Sequence, residues 1–146
     1  MLAKVKKYIK EQELIQSGEL VIAGVSGGPD SMVMLSLLNQ LRSGLSFELV
    51  VAHLNHGLRP EAVAEENFVC QYCKDLKVPF YSRQLNVQEL ATREKKSLEE
   101  AGRDCRYQYF AELVQDLGAN RIATAHHQDD NAETLLLNII RGSGIK

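Results

Sequence analysis

No apolar run in this sequence approaches the roughly 18–20 residues that a membrane span needs. The longest, Leu135 to Ile140, is short and has Asn138 inside it. A membrane partner is therefore not expected. Lys4, Lys6, Lys7 and Lys10 are followed by no apolar signal-peptide core, and Glu11 and Glu13 argue against a mitochondrial transit peptide. Cysteine is scarce and odd in number, at three. That excludes a disulfide scaffold and points to reduced thiols in a cytoplasm. Excess charge of one sign is also missing: 17 Lys plus Arg stand against 19 Asp plus Glu, a net charge of −2. Such a balance is not that of a strongly basic nucleic-acid binder, and leaves room for a local basic patch or for one on a further part of the protein. No Gly-Lys pair occurs, so there is no Walker A motif, and the dinucleotide fingerprint is absent too.

What remains is an ordinary globular composition, 45% hydrophobic and 25% charged over 146 residues. That length suits one domain with a real core. The periodicity predicts a helix from Leu2 to about Gln16, a buried strand over Leu20–Val25 and an almost wholly apolar helix from Asp30 to Arg42. A second strand over Phe47–His53 follows. Pro60 then opens a helix to about Lys77. Pro79–Gln84 reads as a third strand and Asn86–Thr92 as a short helix. Ser97-Leu98-Glu99-Glu100 has the form of a capping box, opening a helix that Gly118 closes. Arg121–Ala125 reads as the fourth strand and Gln128–Arg141 as the last helix. Alternation of this kind predicts an α/β fold, a parallel sheet with helices on both faces. In such sheets ligands bind beyond the carboxyl ends of the strands.

The final predicted helix carries Leu135, Leu136, Leu137, Ile139 and Ile140, apolar on several faces. It needs neighbours on several sides. The expectation is an N-terminal piece of a longer protein, with an oligomer partner or a compact local core as the alternative cover.

Three clusters fall at predicted strand ends. The first is Ser26-Gly27-Gly28-Pro29-Asp30-Ser31, between a strand and a buried helix. Glycines let backbone approach a ligand, and a helix start attracts anions. Asp30 would repel phosphate unless a cation lies between them, which makes it a candidate Mg²⁺ ligand. Spacing alone also fits an ordinary strand–turn–helix connection. The second cluster runs from His126 to Thr134. On a helix, Asp129, Asp130 and Glu133 can share a face, as a metal or acid–base site requires. The same carboxylates would also simply complement a helix dipole. The third, His53-Leu54-Asn55-His56-Gly57-Leu58-Arg59, offers backbone to an adenine and Arg59 to phosphate, or is a satisfied loop. Arg103 and Arg106, one helical turn apart beside Tyr107, can clamp phosphates or stand as solvated helix charges. Cys70 and Cys73 form a C-x₂-C, with Cys105 elsewhere. Three thiolates can hold an iron–sulfur cluster, but these two sit mid-helix beside Phe68, Val69 and Leu76 and read as small buried residues.

Together the strings Val25–Ser31, Ala52–Arg59, Ser97–Tyr107, and His126–Thr134 followed by Arg141-Gly142 resemble the PP-loop ATP pyrophosphatase family. The resemblance is strongest to its lysidine-forming branch. It implies an adenine-nucleotide α-hydrolase-like sheet. It implies that ATP adenylates the 2-carbonyl oxygen of the wobble cytidine in the CAU-anticodon isoleucine tRNA, and that free L-lysine then displaces AMP. By position, Ser26, Gly27, Gly28, Pro29, Asp30 and Ser31 would hold the ATP phosphates, and Ala52 would meet the nucleotide. Asp30, Asp130 and Glu133 would hold Mg²⁺. His126, Asp130 and Glu133 would form the second half of the catalytic site, and Arg106 would contact phosphate or tRNA. Family members are longer, so residues 1–146 would be the N-terminal catalytic domain, without the domains that grip tRNA. Two other readings compete: a tRNA 2-thiolation enzyme of the same superfamily, and a nucleotide-binding module with no catalysis.

Overall fold

Successive apolar side chains in the strands face opposite ways, and two separate cores receive them. The computed structural model describes residues 1–55, 57, 60–127 and 135–144. Its elements are α1 (Leu2–Glu11), β1 (Leu20–Gly24), α2 (Pro29–Leu45), β2 (Glu48–Asn55), α3 (Glu61–Leu76) and β3 (Phe80–Gln84). There follow α4 (Val87–Glu94), α5 (Leu98–Leu117), β4 (Arg121–His127), β5 (Leu135–Arg141) and a 3₁₀ turn at Gly142–Gly144. The five strands form one sheet in the order β3-β2-β1-β4-β5. β1 pairs in parallel with β2 and β4, and β2 in parallel with β3.

Val21, Ala23, Leu49, Val51 and Ala123 point to one face, where they meet Ile9 of α1, Met34, Leu35 and Leu38 of α2, and Val69 and Cys73 of α3. Ile22, Val50, Ala52 and Ile122 point to the other, against Tyr109, Phe110 and Leu113 of α5. Ile22 is wholly buried, and such a side chain contributes about 1.5–3 kcal/mol. A small third core, Val87, Ala91 and Ala101, joins α4 to α5. The helices thus cover both faces, as the alternation predicts.

The capping box at Ser97 is present. Its Oγ accepts from the Glu100 N–H at 3.1 Å and lies 3.3 Å from Glu100 Oε1. Asn86 caps α4 through the Glu89 N–H.

Element ends shift by a few residues, α2 to Leu45 and β4 to His127, and three further differences stand out. α1 stops at Glu11, short of Gln16, because Glu13 takes a φ of 51° and turns the chain. That turn returns Ile15 to the core, 7% exposed. β2 runs two residues past His53, to Asn55, carried by its pairing with β3. The third difference is a change of type. Leu135–Arg141 is a strand, antiparallel to β4 from His127↔Leu135 to Arg121↔Arg141. A short apolar run has no helical stripe to distinguish it from a strand. In the strand, Leu137 and Ile139 serve one core and Ile140 the other, so period two explains the apolar surplus. The helix expected over 128–134 lies outside the described residues. No described helix is long and apolar enough to cross a membrane.

Candidate functional site

β1 and β4 are the neighbours at which strand order reverses, the place where open α/β sheets bind ligands. The Ser26–Ser31 loop leaves the sheet there. Gly27 takes a φ of +97°, which favours glycine, and a Cβ there would meet Val69 at 3.5 Å and Glu65 at 3.6 Å. Ser31 ties the loop together from the first turn of α2. Its Oγ donates to the Gly28 carbonyl at 3.1 Å and accepts from the Ser26 and Gly27 N–H groups at 3.2 Å. That uses the one donor and both acceptor sites of a hydroxyl. Ser26 Oγ lies 3.2 Å from it and accepts from the Gly28 N–H at 3.3 Å. The Ser31 hydroxyl is therefore fully engaged in shaping the loop, and the Ser26 hydroxyl accepts within it while keeping its own proton to donate. α2 opens on Gly28 with no side-chain cap bond and has Pro29 in its first turn. The positive end of its dipole faces the loop.

A cleft of about 120 Å³ opens beside the loop. Its lining includes Gly24, Ser26, Ser31, Ala52, Leu54, Arg106, Phe110, Thr124 and Ala125. Small residues on three adjacent strands and the Phe110 ring give it flat, apolar walls. That shape fits a planar base better than a whole nucleotide. Phosphates would lie on the loop beside it. Arg106, exposed on α5, reaches this cleft. Arg103 is exposed on the same helix and is not part of the lining. A roomier groove of about 570 Å³ lies between α4 and α5. It contains none of the Ser26–Ser31 loop, and Lys96 is held there between Glu94 and Asp104.

Asp30 sits half-buried in the first turn of α2. Carboxylate and hydroxyl oxygens are hard donors, and Mg²⁺ is usually held by one or two carboxylates plus substrate phosphates. The Asp30 carboxylate fits that ion, while the Ser31 hydroxyl is taken up within the loop. Ala52 is buried, and its carbonyl accepts from the Val25 N–H at 2.9 Å. His126 lies on β4, paired with Leu136. Its side chain, and the residues Asp129, Asp130 and Glu133, lie outside the description, as do His56 and Arg59.

The third sequence cluster resolves in part. Asn55 is a turn-former, its Oδ1 accepting from the Gly57 N–H at 2.9 Å. His53 opens that cluster, and the sequence assigns its side chain no role of its own. It is 2% exposed, and its Nδ1 lies 2.8 Å from the Val25 carbonyl. The signal available was a histidine inside an apolar strand beside a glycine loop. Thr124, Ala125 and Phe110 were also missed as lining, because small and apolar residues carry no motif.

The cysteines are structural in their surroundings. Burial, with Cys70 adding to it, pushes the Cys73 thiol up to about 11, and burial raises Cys105 as well. All three are free, and none lines the cleft. Among the described residues no three His, Cys, Asp or Glu side chains are grouped to hold a metal.

Comparison with known proteins adds to this geometry. Residues 1–146 match the family described as PP-loop domain. A curated tRNA(Ile)-lysidine synthase of Petrotoga mobilis is 43% identical over 97% of this chain and 46% of its own length. One from Chlorobaculum tepidum is 44% identical over 96% of this chain and 44% of its own. The chain thus spans under half the length of these relatives. Among solved structures, the U34-tRNA thiolase NcsA of Methanococcus maripaludis, with its [4Fe-4S] cluster, superposes with a TM-score of 0.71. It covers 88% of this chain and 47% of its own at 19% identity, a likeness of fold.

Proposed function

The chain belongs to the PP-loop domain family, and from that membership we propose that it is the ATP-using catalytic domain of an enzyme that converts the wobble cytidine of CAU-anticodon isoleucine tRNA to lysidine. The observation that carries this reading is the likeness, along nearly the whole chain, to curated lysidine synthases. The cleft at the β1–β4 reversal supports it by offering a base-sized slot beside an anion-accepting loop.

The chemistry needs a poor leaving group made good. The cytosine 2-oxygen attacks the α-phosphorus of ATP, forming an O–P bond and expelling pyrophosphate. The neutral ε-amine of lysine then adds to C2 and gives up a proton. The C2–O bond breaks and AMP leaves. In this proposal the backbone of Ser26–Ser31 cradles the phosphates, and the positive end of α2 faces their charge. The base lies between Phe110 and the strand ends, with Ala52 at its edge. Arg106 meets phosphate or tRNA. Mg²⁺, on Asp30 with Asp130 and Glu133, would neutralise phosphate charge. His126, near the end of β4 and shortly before the second carboxylate cluster in sequence, is assigned to the activated base. The grip on tRNA is assigned to the part of the relatives that this chain does not cover, and the reaction to the cytoplasm.

Sulfur transfer is the rival reaction. The raised Cys73 thiol and the absence of all three cysteines from the cleft lining argue against it. The test uses the whole protein carrying this chain. It is incubated with ATP, Mg²⁺, lysine and unmodified CAU-anticodon tRNA, and the digested nucleosides are weighed. Cytidine heavier by one condensed lysine is expected. Unchanged cytidine, with both substrates shown to bind, overturns the reading.

A further inference from the structure

We propose that His53 is a positioning residue for the Ser26–Ser31 loop: its imidazole fixes the peptide plane on which that loop begins. The functional half of this proposal rests on the nucleotide reading above.

The Nδ1 of His53 lies 2.8 Å from the Val25 carbonyl. A carbonyl only accepts, so Nδ1 carries a proton and donates. The Val25 N–H is meanwhile 2.9 Å from the Ala52 carbonyl. Two successive residues of β2 therefore hold both backbone groups of the residue before Ser26. In a parallel ladder the next rung would run from the Leu54 N–H to that same Val25 carbonyl. The ring takes the carbonyl instead, at the point where the chain turns out of the sheet.

The Val25 carbonyl and the Ser26 N–H belong to one planar peptide unit. His53 holds its oxygen end. Ser31 Oγ holds its N–H end at 3.2 Å, and holds the Gly27 N–H at the same distance. A peptide plane held at both ends cannot rotate, so the direction in which Ser26 and Gly27 present their backbone is set by His53 and Ser31 together. Phe80 of β3 backs the ring, with centroids 6.2 Å apart and planes 28° from parallel. The imidazole is 2% exposed, which keeps water from competing for the bond.

Three substitutions separate positioning from bulk. His53→Asn keeps a donor near the place of Nδ1. His53→Gln moves the donor towards the place of Nε2. His53→Leu removes it. In the whole protein, two quantities are read for each: ATP affinity by calorimetry, and amide hydrogen exchange over Val25–Ser31 against that of Ile122 in the core. The Gln and Leu variants are expected to bind ATP about tenfold more weakly and to exchange the loop amides about tenfold faster, with Asn within about threefold of the parent in both. Ile122 exchange should stay unchanged. Equal loop exchange in all four proteins overturns the proposal. So does faster exchange of Ile122 in step with the loop, which would mark a general loss of stability. So does a loosened loop with unchanged ATP affinity. Failure of the parent itself to bind ATP brings down the nucleotide reading, while loop exchange still decides whether His53 fixes the loop.

Discussion

The Phe110 ring occupies the space that a side chain at position 24 would need. A Cβ on Gly24 would stand 2.6 Å from Phe110 Cζ. The glycine lets α5 close down onto the end of β1 and makes the ring a wall of the cleft. Gly24→Ala is expected to push the ring outward and to destabilise the fold by about 1–3 kcal/mol, as overpacking does. ATP affinity should fall with it. Phe110→Leu added to Gly24→Ala should recover part of the stability. Urea unfolding of the four members of that double-mutant cycle checks the coupling. Strictly additive losses would mean that the two residues do not press on one another.

Asp30→Asn keeps the size of the side chain and removes its charge. In the whole protein it is expected to lower lysidine turnover at least about a hundredfold, the scale of several kcal/mol of lost charge stabilisation. Nucleotide binding should change much less. Single-turnover nucleoside analysis with saturating ATP reads the difference. Undiminished turnover would remove Asp30 from the metal assignment.

Arg121 and Glu19 form an ion pair at the amino ends of β4 and β1, away from the cleft. Arg121 Nε lies 3.0 Å from Glu19 Oε1, with the two side chains 8% and 19% exposed. The same oxygen accepts from the Gln16 N–H at 2.7 Å. Glu19→Gln keeps a neutral acceptor for both donors. Arg121→Ala strands a largely buried carboxylate. The arginine variant should therefore lose about 2–3 kcal/mol and the glutamine variant about 1 kcal/mol. Denaturant midpoints rank them, and a reversed order would contradict the geometry.

Alkali should weaken the fold in two steps. Burial pushes the Cys73 thiol from 9.0 up to about 11. Burial also pushes the Tyr109 phenol from 10.0 up to about 12, against the pull of the Arg83 guanidinium. In both cases the folded chain keeps a proton that the unfolded chain has released. The stability each group contributes is complete below its unfolded value and is lost as pH rises to the folded one. Loss should begin near pH 9 through Cys73 and continue towards 12 through Tyr109. Cys73→Ala should flatten the first part of the curve. A parent whose urea midpoint does not move between pH 8 and 11 would contradict this.

The central architecture was legible because its signals are local. Leu20–Gly24 and Glu48–Asn55 are apolar, β-branched runs. Ser97 with Glu100 announces the start of α5. The glycine loop at Ser26 and Arg106 on α5 line one cleft. Leu135–Arg141 was misread because seven mostly apolar residues suit a buried helix and a strand equally, and pairing with β4 decides between them. The role of the His53 side chain was not legible because its partner, the Val25 carbonyl, is 28 residues away and belongs to the backbone. No side-chain pattern encodes that bond.

β1 sits in the middle of the sheet, yet one of its two neighbours is made very late. The Leu20 N–H finds Asn120 Oδ1 exactly one hundred residues downstream, at 2.8 Å. A ribosome adds about 5–20 residues per second, so roughly 5–20 s pass between the synthesis of β1 and that of its partner β4. For that interval β1 has at most β2 and not β4 to pair with. The seam at which the cleft forms is thus the last side of β1 to gain its partner strand.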